Sequence, residues 1–519
     1  MLLEQMLQRS ARLWPEKMAA IDGEWRLTYG QFAERVDRLA NALIGLGLAP
    51  GERVGVLMLN SFRYLELYYA VSLAGGVIVP LNTRLAIPEL SFMLDDCGAR
   101  LLVAGPEFSD AARRIQAECP SLQALILADD GDAPAGMHAY EHLLAAAGPA
   151  RPEIAKHDSD AAGIFYTGGT TGRPKGVMLT HRNLVDNAYR AIMHVGYQGD
   201  DTYLHAAPMF HLADGASTFA ITAIGGTHAH IRAFDPPAVL ATLEREQVTS
   251  VLLVPTMINA LVNCPDSASC DLSRLRRVVY GASPIAESTL RRGMEFFGCA
   301  FIQGFGMTEV APILTILSEA DHRLGLSERP QLLRSAGQAG IGIDLRVVDD
   351  DDRDLPPGVV GEVIARGDNV MLGYWQRPEE TAAALRGGCY HSGDLATMDE
   401  EGYVYIVDRK KDMIVSGGEN VYSIEVENAL ANHPAVLECA VIGVPDDRWG
   451  EAVLAVVVPR PGRQPEHEEL IDHCRRQIAG YKVPRAIVLA DSLPKSGAGK
   501  ILKREIREQY WREESRRVH

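Results

Sequence analysis

Residues 163–180 read GIFYTGGTTGRPKGVMLT: a short apolar run, then a loop of glycines, threonines and one lysine, then a second apolar run. A short apolar run with no polar alternation reads as a strand covered on both faces, as in a parallel sheet. Further runs of this kind stand at 53–58, 101–104, 250–254 and 277–280, and they alternate with helix-period patterns at 29–46 and 285–297. Such alternation predicts an α/β fold, with mostly parallel sheets covered by helices. Beyond about residue 340 the texture changes to short strands at 345–348, 361–366 and 403–407 broken by the turn string DDDDRDLPPG, which predicts a small antiparallel β-rich subdomain over 340–410. A last segment, with helix patterns at 423–432 and 466–479 and strands at 436–443 and 452–458, predicts a compact α+β unit. The boundary falls near Lys411, dividing an N-terminal domain, 1–410, from a C-terminal lid, 411–519.

The chain has 519 residues, 47% hydrophobic and 23% charged, with a formal charge of −17. Phosphate backbones and anionic lipid reward positive surfaces, so this balance disfavours a nucleic-acid or polybasic lipid-binding role. The charge is uneven: residues 411–519 carry −1 and the rest −16, while 471–519 alone carry +6. A lid over an anionic ligand would use that asymmetry. Glu4 and Gln5 interrupt the opening segment where an export signal needs an unbroken apolar stretch, so it reads as an amphipathic helix. The apolar runs at 69–80 and 452–459 are shorter than a spanning helix requires. Eight cysteines without a CxxC pair argue against a disulfide scaffold and a structural zinc site, and point to a cytoplasmic protein.

In the loop of 167–175, Gly168, Gly169 and Gly172 free backbone N–H groups to face a phosphate, Thr167, Thr170 and Thr171 add hydroxyls, and Lys175 adds a charge. It is not a Walker A loop, since no GxxxxGK[ST] string occurs. A second element is Gln303-Gly304-Phe305-Gly306-Met307-Thr308-Glu309, where Glu309 occupies the last glycine position of a dinucleotide fingerprint. A carboxylate beside a pyrophosphate is repulsive unless it holds a cation, so Glu309 suggests magnesium. Pro208-Met209-Phe210-His211, Tyr280-Gly281-Ala282-Ser283-Pro284, His391-Ser392-Gly393-Asp394, Asp408-Arg409 and the loop PKSGAGK presenting Lys500 complete the set. Taken alone, each is a plausible turn or packing feature.

In their joint order, YTGGTTGRPKG, PMFH, YGASP, QGFGMTE, GEVIARGDNVMLGYW, HSGD, DRKKDMIVSGGENVY and PKSGAGK resemble the acyl-adenylate-forming superfamily, specifically fatty- and aryl-acyl-CoA synthetases. The resemblance implies a large N-terminal lobe, a small mobile C-terminal lobe and an active site between them. It implies ATP phosphates on Thr167 to Lys175 and Mg2+ on Thr167 and Glu309. Gly281, Ala282, Ser283 and the segment Gln303 to Thr308, Phe305 foremost, would hold the nucleotide. Asp394 and Arg409 would bind ribose, His211 would sit beside the substrate carboxylate, Lys411 would be the hinge and Lys500 the adenylation lysine. Gly417, Gly418 and Trp449 would line the CoA path. Gly168, His391-Ser392 and Ser423 depart from the pattern, where Ser or Thr, an aromatic or Arg followed by Thr, and Pro are usual; none removes an implied catalytic group.

The activity so implied is that of an AMP-forming acid–CoA ligase using Mg-ATP and CoA. Apolar Met209, Val310, Ala311, Pro312 and Ile313 flank the implied pocket, which favours a hydrophobic monocarboxylate. A medium- or long-chain fatty acid ranks first, ahead of an aryl or cinnamoyl-type acid and of an acyl-adenylating enzyme serving a carrier protein. Such a reading leaves room for a peripheral membrane contact and a homo-oligomer. An amino-acid adenylation domain would carry aspartate at position 211. Lys175, Glu309 and Lys500, all retained, stand against a nucleotide-binding protein that has lost catalysis, and the charge of −17 and glycine loops that serve no packing stand against a scaffold.

Overall fold

The computed structural model describes residues 1–519 except 168–173, 266–269, 417–418, 447–448, 497–499 and 516–519. The chain opens with the helix Glu4–Leu13, anchored through Glu4, whose carboxylate meets Lys156 at 2.6 Å and accepts a hydrogen bond from Ser72 at 2.7 Å. The expected helix of 29–46 forms as Tyr29–Gly45, because Thr28 and Gln31 make a reciprocal capping box and Phe32, Val36, Leu39 and Leu43 share one buried face.

Among the described residues the N-terminal part holds two large sheets. One has nine strands, and its members Ala300–Phe305, Arg277–Gly281, Ser250–Leu253, Thr202–His205, Thr227–His230 and Met18–Asp22 run parallel in that order. The other has eight, with Ala161–Thr167, Val77–Pro80, Arg53–Leu57, Ala99–Ala104 and Ala124–Leu127 parallel and Lys175–Thr180 antiparallel to Ala161–Thr167. The helix Phe62–Leu73 touches strands of both sheets, and every one of its residues is buried. Its two charged residues are paired within the core, Glu66 with Arg35 at 2.5 Å and Arg63 with Glu141 at 2.7 Å. The fold class is the α/β architecture expected from the alternation of elements.

Residues 344–409 form an antiparallel sheet, Asp344–Val348, Gly361–Arg366, Tyr390–Met398 and Val404–Arg409. A fourth sheet comes next: Glu419–Val421, Ile414–Ser416, Gly450–Pro459 and Val436–Asp446, with Ala486–Leu489 parallel to Gly450–Pro459. Buried apolar clusters are made either of residues before 411 or of residues after it. The helix expected over 466–479 ends earlier, as His467–Arg475. Gly480 and Pro484 lie just ahead, and the chain bends into the short helical turn Gly480–Lys482. All eight cysteines are free thiols, and among the described residues no helix is long and apolar enough to cross a membrane.

Candidate active site

Carboxyl ends of parallel strands carry most of the chemistry-bearing residues, as open α/β sheets favour. Thr167 ends the strand Ala161–Thr167 and pairs in register with Lys175, so the two residues form the base of the glycine-rich loop. Gly168, Gly169, Thr170, Thr171 and Gly172 lie outside the described residues, as do Gly417 and Gly418. Below the loop, Tyr166 donates to Asp96 at 2.7 Å, and Asp96 also takes Arg377 at 2.9 Å and, on its carbonyl, the Trp375 indole at 3.0 Å.

The segment 371–375 joins this base to Glu309. Trp375 N–H donates to the Gly176 carbonyl at 2.7 Å, Leu372 N–H to Met178 at 3.0 Å and Met371 N–H to Glu309 at 2.8 Å. Tyr374 then reaches both ways: the Lys175 ammonium lies 5.2 Å from its ring centre, and its hydroxyl donates to Glu309 Oε1 at 3.0 Å. Glu309 sits in the short helical turn Thr308–Val310, and burial pushes its carboxyl up against the Tyr374 hydrogen bond and the charge of Arg409. Among the described residues that carboxylate takes one side-chain hydrogen bond, leaving acceptor lone pairs in a desolvated place. Such a carboxylate can serve as one oxygen ligand to a hard divalent cation.

Two glycines in the expected nucleotide wall are dictated by close backbone approach. A Cβ on Gly281 would stand 2.1 Å from the Gly304 carbonyl oxygen, its register partner on the next strand. A Cβ on Gly306 would stand 1.8 Å from the Pro312 carbonyl oxygen. Gln303 and Phe305 continue the strand Ala300–Phe305, Met307 leads into the turn at Thr308, and Ala282 takes a left-handed φ of 66° before Ser283.

Asp394 and Arg409 face one another across the pair Tyr390–Met398 and Val404–Arg409, with Arg409 Nε 3.1 Å from Asp394 Oδ1. Ser392 prepares the turn: it donates to the Val363 carbonyl at 2.6 Å and accepts from Asp394 N–H at 3.1 Å, so serine suffices there. The buried His391 stands 3.6 Å from Glu362 and 3.9 Å from Asp352. Asp394 is buried, and desolvation raises its carboxyl against the pull of Arg409, Lys500 and Lys411.

Lys500 enters from the C-terminal segment. Its N–H donates to Ser496 Oγ at 3.1 Å, its carbonyl accepts from Ser496 N–H at 2.7 Å, and Arg84 donates to the Ser496 carbonyl at 3.3 Å. Burial, with the charges of Arg409 and Lys411, pushes its amine down to about 8 against the opposing pull of Asp394 and Asp412. His211 caps the helix Leu212–Ile224, its Nδ1 accepting from Ala213 N–H at 3.3 Å. Burial and the nearby Lys500 push it down to about 4. A neutral imidazole accepting at Nδ1 carries its proton on Nε2. The structure therefore gathers His211, Glu309, Asp394, Arg409, Lys411 and Lys500 into one electrostatic neighbourhood. Trp449 lies under the Arg485 guanidinium at 5.2 Å and adjoins Gly450, which pairs with Ser416, the residue before the Gly417-Gly418 pair.

Residues without a signal in the sequence complete the site. Asn60 holds the loop before His211, donating to the His205 and Ala207 carbonyls at 3.0 and 2.8 Å and accepting from Met209 N–H at 2.8 Å. Tyr68 donates to the Met209 carbonyl at 2.6 Å. Behind it, buried Asp214 accepts from Tyr203 at 2.9 Å and meets His205 Nδ1 at 2.5 Å. Tyr374 lies within the motif GEVIARGDNVMLGYW, yet no local pattern ties it to a glutamate 65 positions before it.

Known proteins resemble this chain along nearly its whole length. A family model described as AMP-binding enzyme matches residues 7–375, and one described as AMP-binding enzyme C-terminal domain matches residues 425–500. A feruloyl-CoA synthase of Amycolatopsis sp is 43% identical over 503 residues, 97% of this chain and 98% of that protein. A long-chain-fatty-acid–CoA ligase of Thermus thermophilus is 38% identical over 524 residues, 98% of this chain and 95% of that protein. Among solved structures, an anthranilate CoA ligase in complex with anthranoyl-AMP superposes with a TM-score of 0.92 at 27% identity, covering 99% of this chain and 98% of that one.

Proposed function

The chain belongs to the AMP-binding enzyme family, and from that premise we propose that it is an AMP-forming acid–CoA ligase whose lobes, 1–410 and 411–519, meet over the site. The observation that carries the reading is the convergence of Lys500 on Asp394, Arg409 and His211. A carboxylate and a triphosphate repel one another, so their joining needs cancelled charge and fixed geometry more than covalent help.

In the first step the acid's carboxylate attacks the α-phosphorus of ATP and pyrophosphate leaves. His211, neutral with its proton on Nε2, donates that N–H to the carboxylate without adding a competing charge. Lys500, protonated below about pH 8, answers the negative charge building on the α-phosphate. Asp394 accepts from the ribose hydroxyls while Arg409 opposes the desolvation that raises its carboxyl, and Gly281 and Gly304 form a flat wall for adenine. Thr167 and Lys175, with the loop between them, face the outer phosphates. Glu309 and Thr167 would hold Mg2+, which supplies charge neutralisation to the phosphates when bound. In the second step rotation at Lys411 withdraws Lys500, and the CoA thiol, entering past Gly417, Gly418 and Trp449, displaces AMP from the acyl carbonyl.

The acid is a hydrophobic monocarboxylate. The apolar residues flanking the site and the 38% identity to a long-chain-fatty-acid–CoA ligase support a fatty acid. The 43% identity to a feruloyl-CoA synthase supports a cinnamic-type acid and draws it level with the fatty acid that sequence alone ranks first. The test is formation of AMP and pyrophosphate from Mg-ATP and CoA across fatty acids, benzoates and cinnamates, with the thioester identified by mass. A cinnamate or fatty acyl thioester selects between the two acids, whereas AMP without thioester points to another acceptor. No AMP with any acid overturns the reading.

A further inference from the structure

Ser423 is fully buried at the first position of the helix Ser423–Ala431 and ties together two segments remote in sequence. Its N–H donates to Asp408 Oδ2 at 2.5 Å, its hydroxyl donates to Asp408 Oδ1 at 3.0 Å, and the same Oγ accepts from Lys503 Nζ at 2.5 Å. Asp408 is the penultimate residue of the strand Val404–Arg409; it accepts from the N–H of Arg409 at 2.8 Å, and the Arg409 guanidinium meets Asp394. Lys503 opens the helix Lys503–Ser515 just after Lys500, and its ammonium also meets Glu427 at 2.7 Å. A proline at 423 would remove all three of the serine's bonds, since it has neither the N–H nor the hydroxyl.

We propose that Ser423 is a positioning residue for Lys500: through Lys503 it fastens the segment carrying the adenylation lysine to the Asp408–Arg409 strand end, so that the amine faces Asp394 and Arg409 while acyl-adenylate forms. The inference rests on the role proposed above for Lys500. A cation shared by a hydroxyl and a carboxylate is directional and charge-assisted, so it fixes where the chain leaves Lys503. With Leu502 N–H donating to the Pro494 carbonyl at 2.9 Å, the short span back to Lys500 has little freedom left. The groups facing Lys500 are Arg409, Asp394, Lys411 and Asp412, with His211 beside it.

Competitive acetylation of the full chain across pH, read by mass spectrometry at Lys500, tests the position without any substrate. In the unaltered protein the amine should titrate near 8. In Ser423→Ala it should move up toward the ordinary lysine value as the amine leaves its desolvated, positively charged surroundings. Ser423→Thr, which keeps the hydroxyl, should restore it, and Lys503→Met should reproduce the alanine effect from the other end of the link. In acid-dependent pyrophosphate exchange, Ser423→Ala should lower kcat roughly tenfold with little change in KM for the acid, the loss of about one charge-assisted hydrogen bond. Thioester formation from supplied acyl-AMP should hold. An unmoved Lys500 titration in both Ser423→Ala and Lys503→Met, or equal loss of both half-reactions, overturns the positioning role. Absence of pyrophosphate exchange in the unaltered protein would instead overturn the ligase reading, and the titration would still decide the position.

Discussion

Replacing Lys500 by methionine should abolish adenylation and, at neutral pH, make the protein more stable. Burial, which penalises its charge, is the main cause pushing the amine down from the ordinary 10.5 to about 8. That difference corresponds to about 3 kcal/mol at most held against the folded state. The folded value lies below the unfolded one, so the full cost is present below about pH 8, shrinks as pH climbs toward the ordinary lysine value and vanishes above it. Methionine keeps much of the stem's volume without the charge. Its stabilisation should therefore be largest near neutrality and fade at alkaline pH. Two lobes with separate cores need not unfold together, so the thermal shift and its dependence on pH are the quantities to compare. In activity, acid-dependent pyrophosphate exchange by the unaltered enzyme should fall through about pH 8, with about a tenth of the amine still protonated one unit higher. Lys500→Met should lose on the order of 100-fold or more at all pH values. A variant less stable at neutral pH, or an exchange rate flat through pH 9, refutes the assignment of a buried, charged amine to that step.

Tyr374→Phe removes the hydrogen bond that holds Glu309 down, so its carboxyl should rise further; the acid limb of activity should move to higher pH and the Mg2+ needed for half-maximal rate should increase, measured by magnesium titration at fixed ATP. Gly306→Ala drives a methyl into the Pro312 carbonyl and should lower the melting temperature and abolish ATP binding by calorimetry, whereas in Gly304→Ala the methyl meets only the Ile316 side chain at 4.0 Å, an ordinary contact, and the variant should fold normally. Asp394→Asn leaves Arg409 without its carboxylate and should raise KM for ATP about tenfold with a smaller change in kcat. Lys411→Pro restricts the backbone at the proposed hinge and should spare pyrophosphate exchange while slowing thioester formation; equal rates for the two half-reactions would remove the hinge role.

The fold class is legible in the sequence because it depends on local period. Apolar runs such as 53–58 and 277–280 form the strands Arg53–Leu57 and Arg277–Gly281, and the helix at 29 begins where Thr28 and Gln31 cap it. Gly281 and Gly306 stand where backbones packed that closely tolerate no side chain, a demand each glycine meets by its own chemistry. The helix near 466 is shorter than its pattern suggests: the pattern runs to 479, whereas the helix stops at Arg475, ahead of the turn Gly480–Lys482.

The sequence by itself determined which chemical groups are present and which backbone conformations they favour, and hence the α/β architecture and the order of the motifs. Only the tertiary structure decided their state. The pairing of Tyr374 with Glu309, the clasp of Asp408, Ser423 and Lys503, and the descent of Lys500 to about 8 and of His211 to about 4 all arise between segments far apart in the chain. Hydrogen-bonding capacity and ordinary acidity belong to a residue. Partner and desolvation belong to the place where folding puts it, and a local pattern in sequence carries no measure of either.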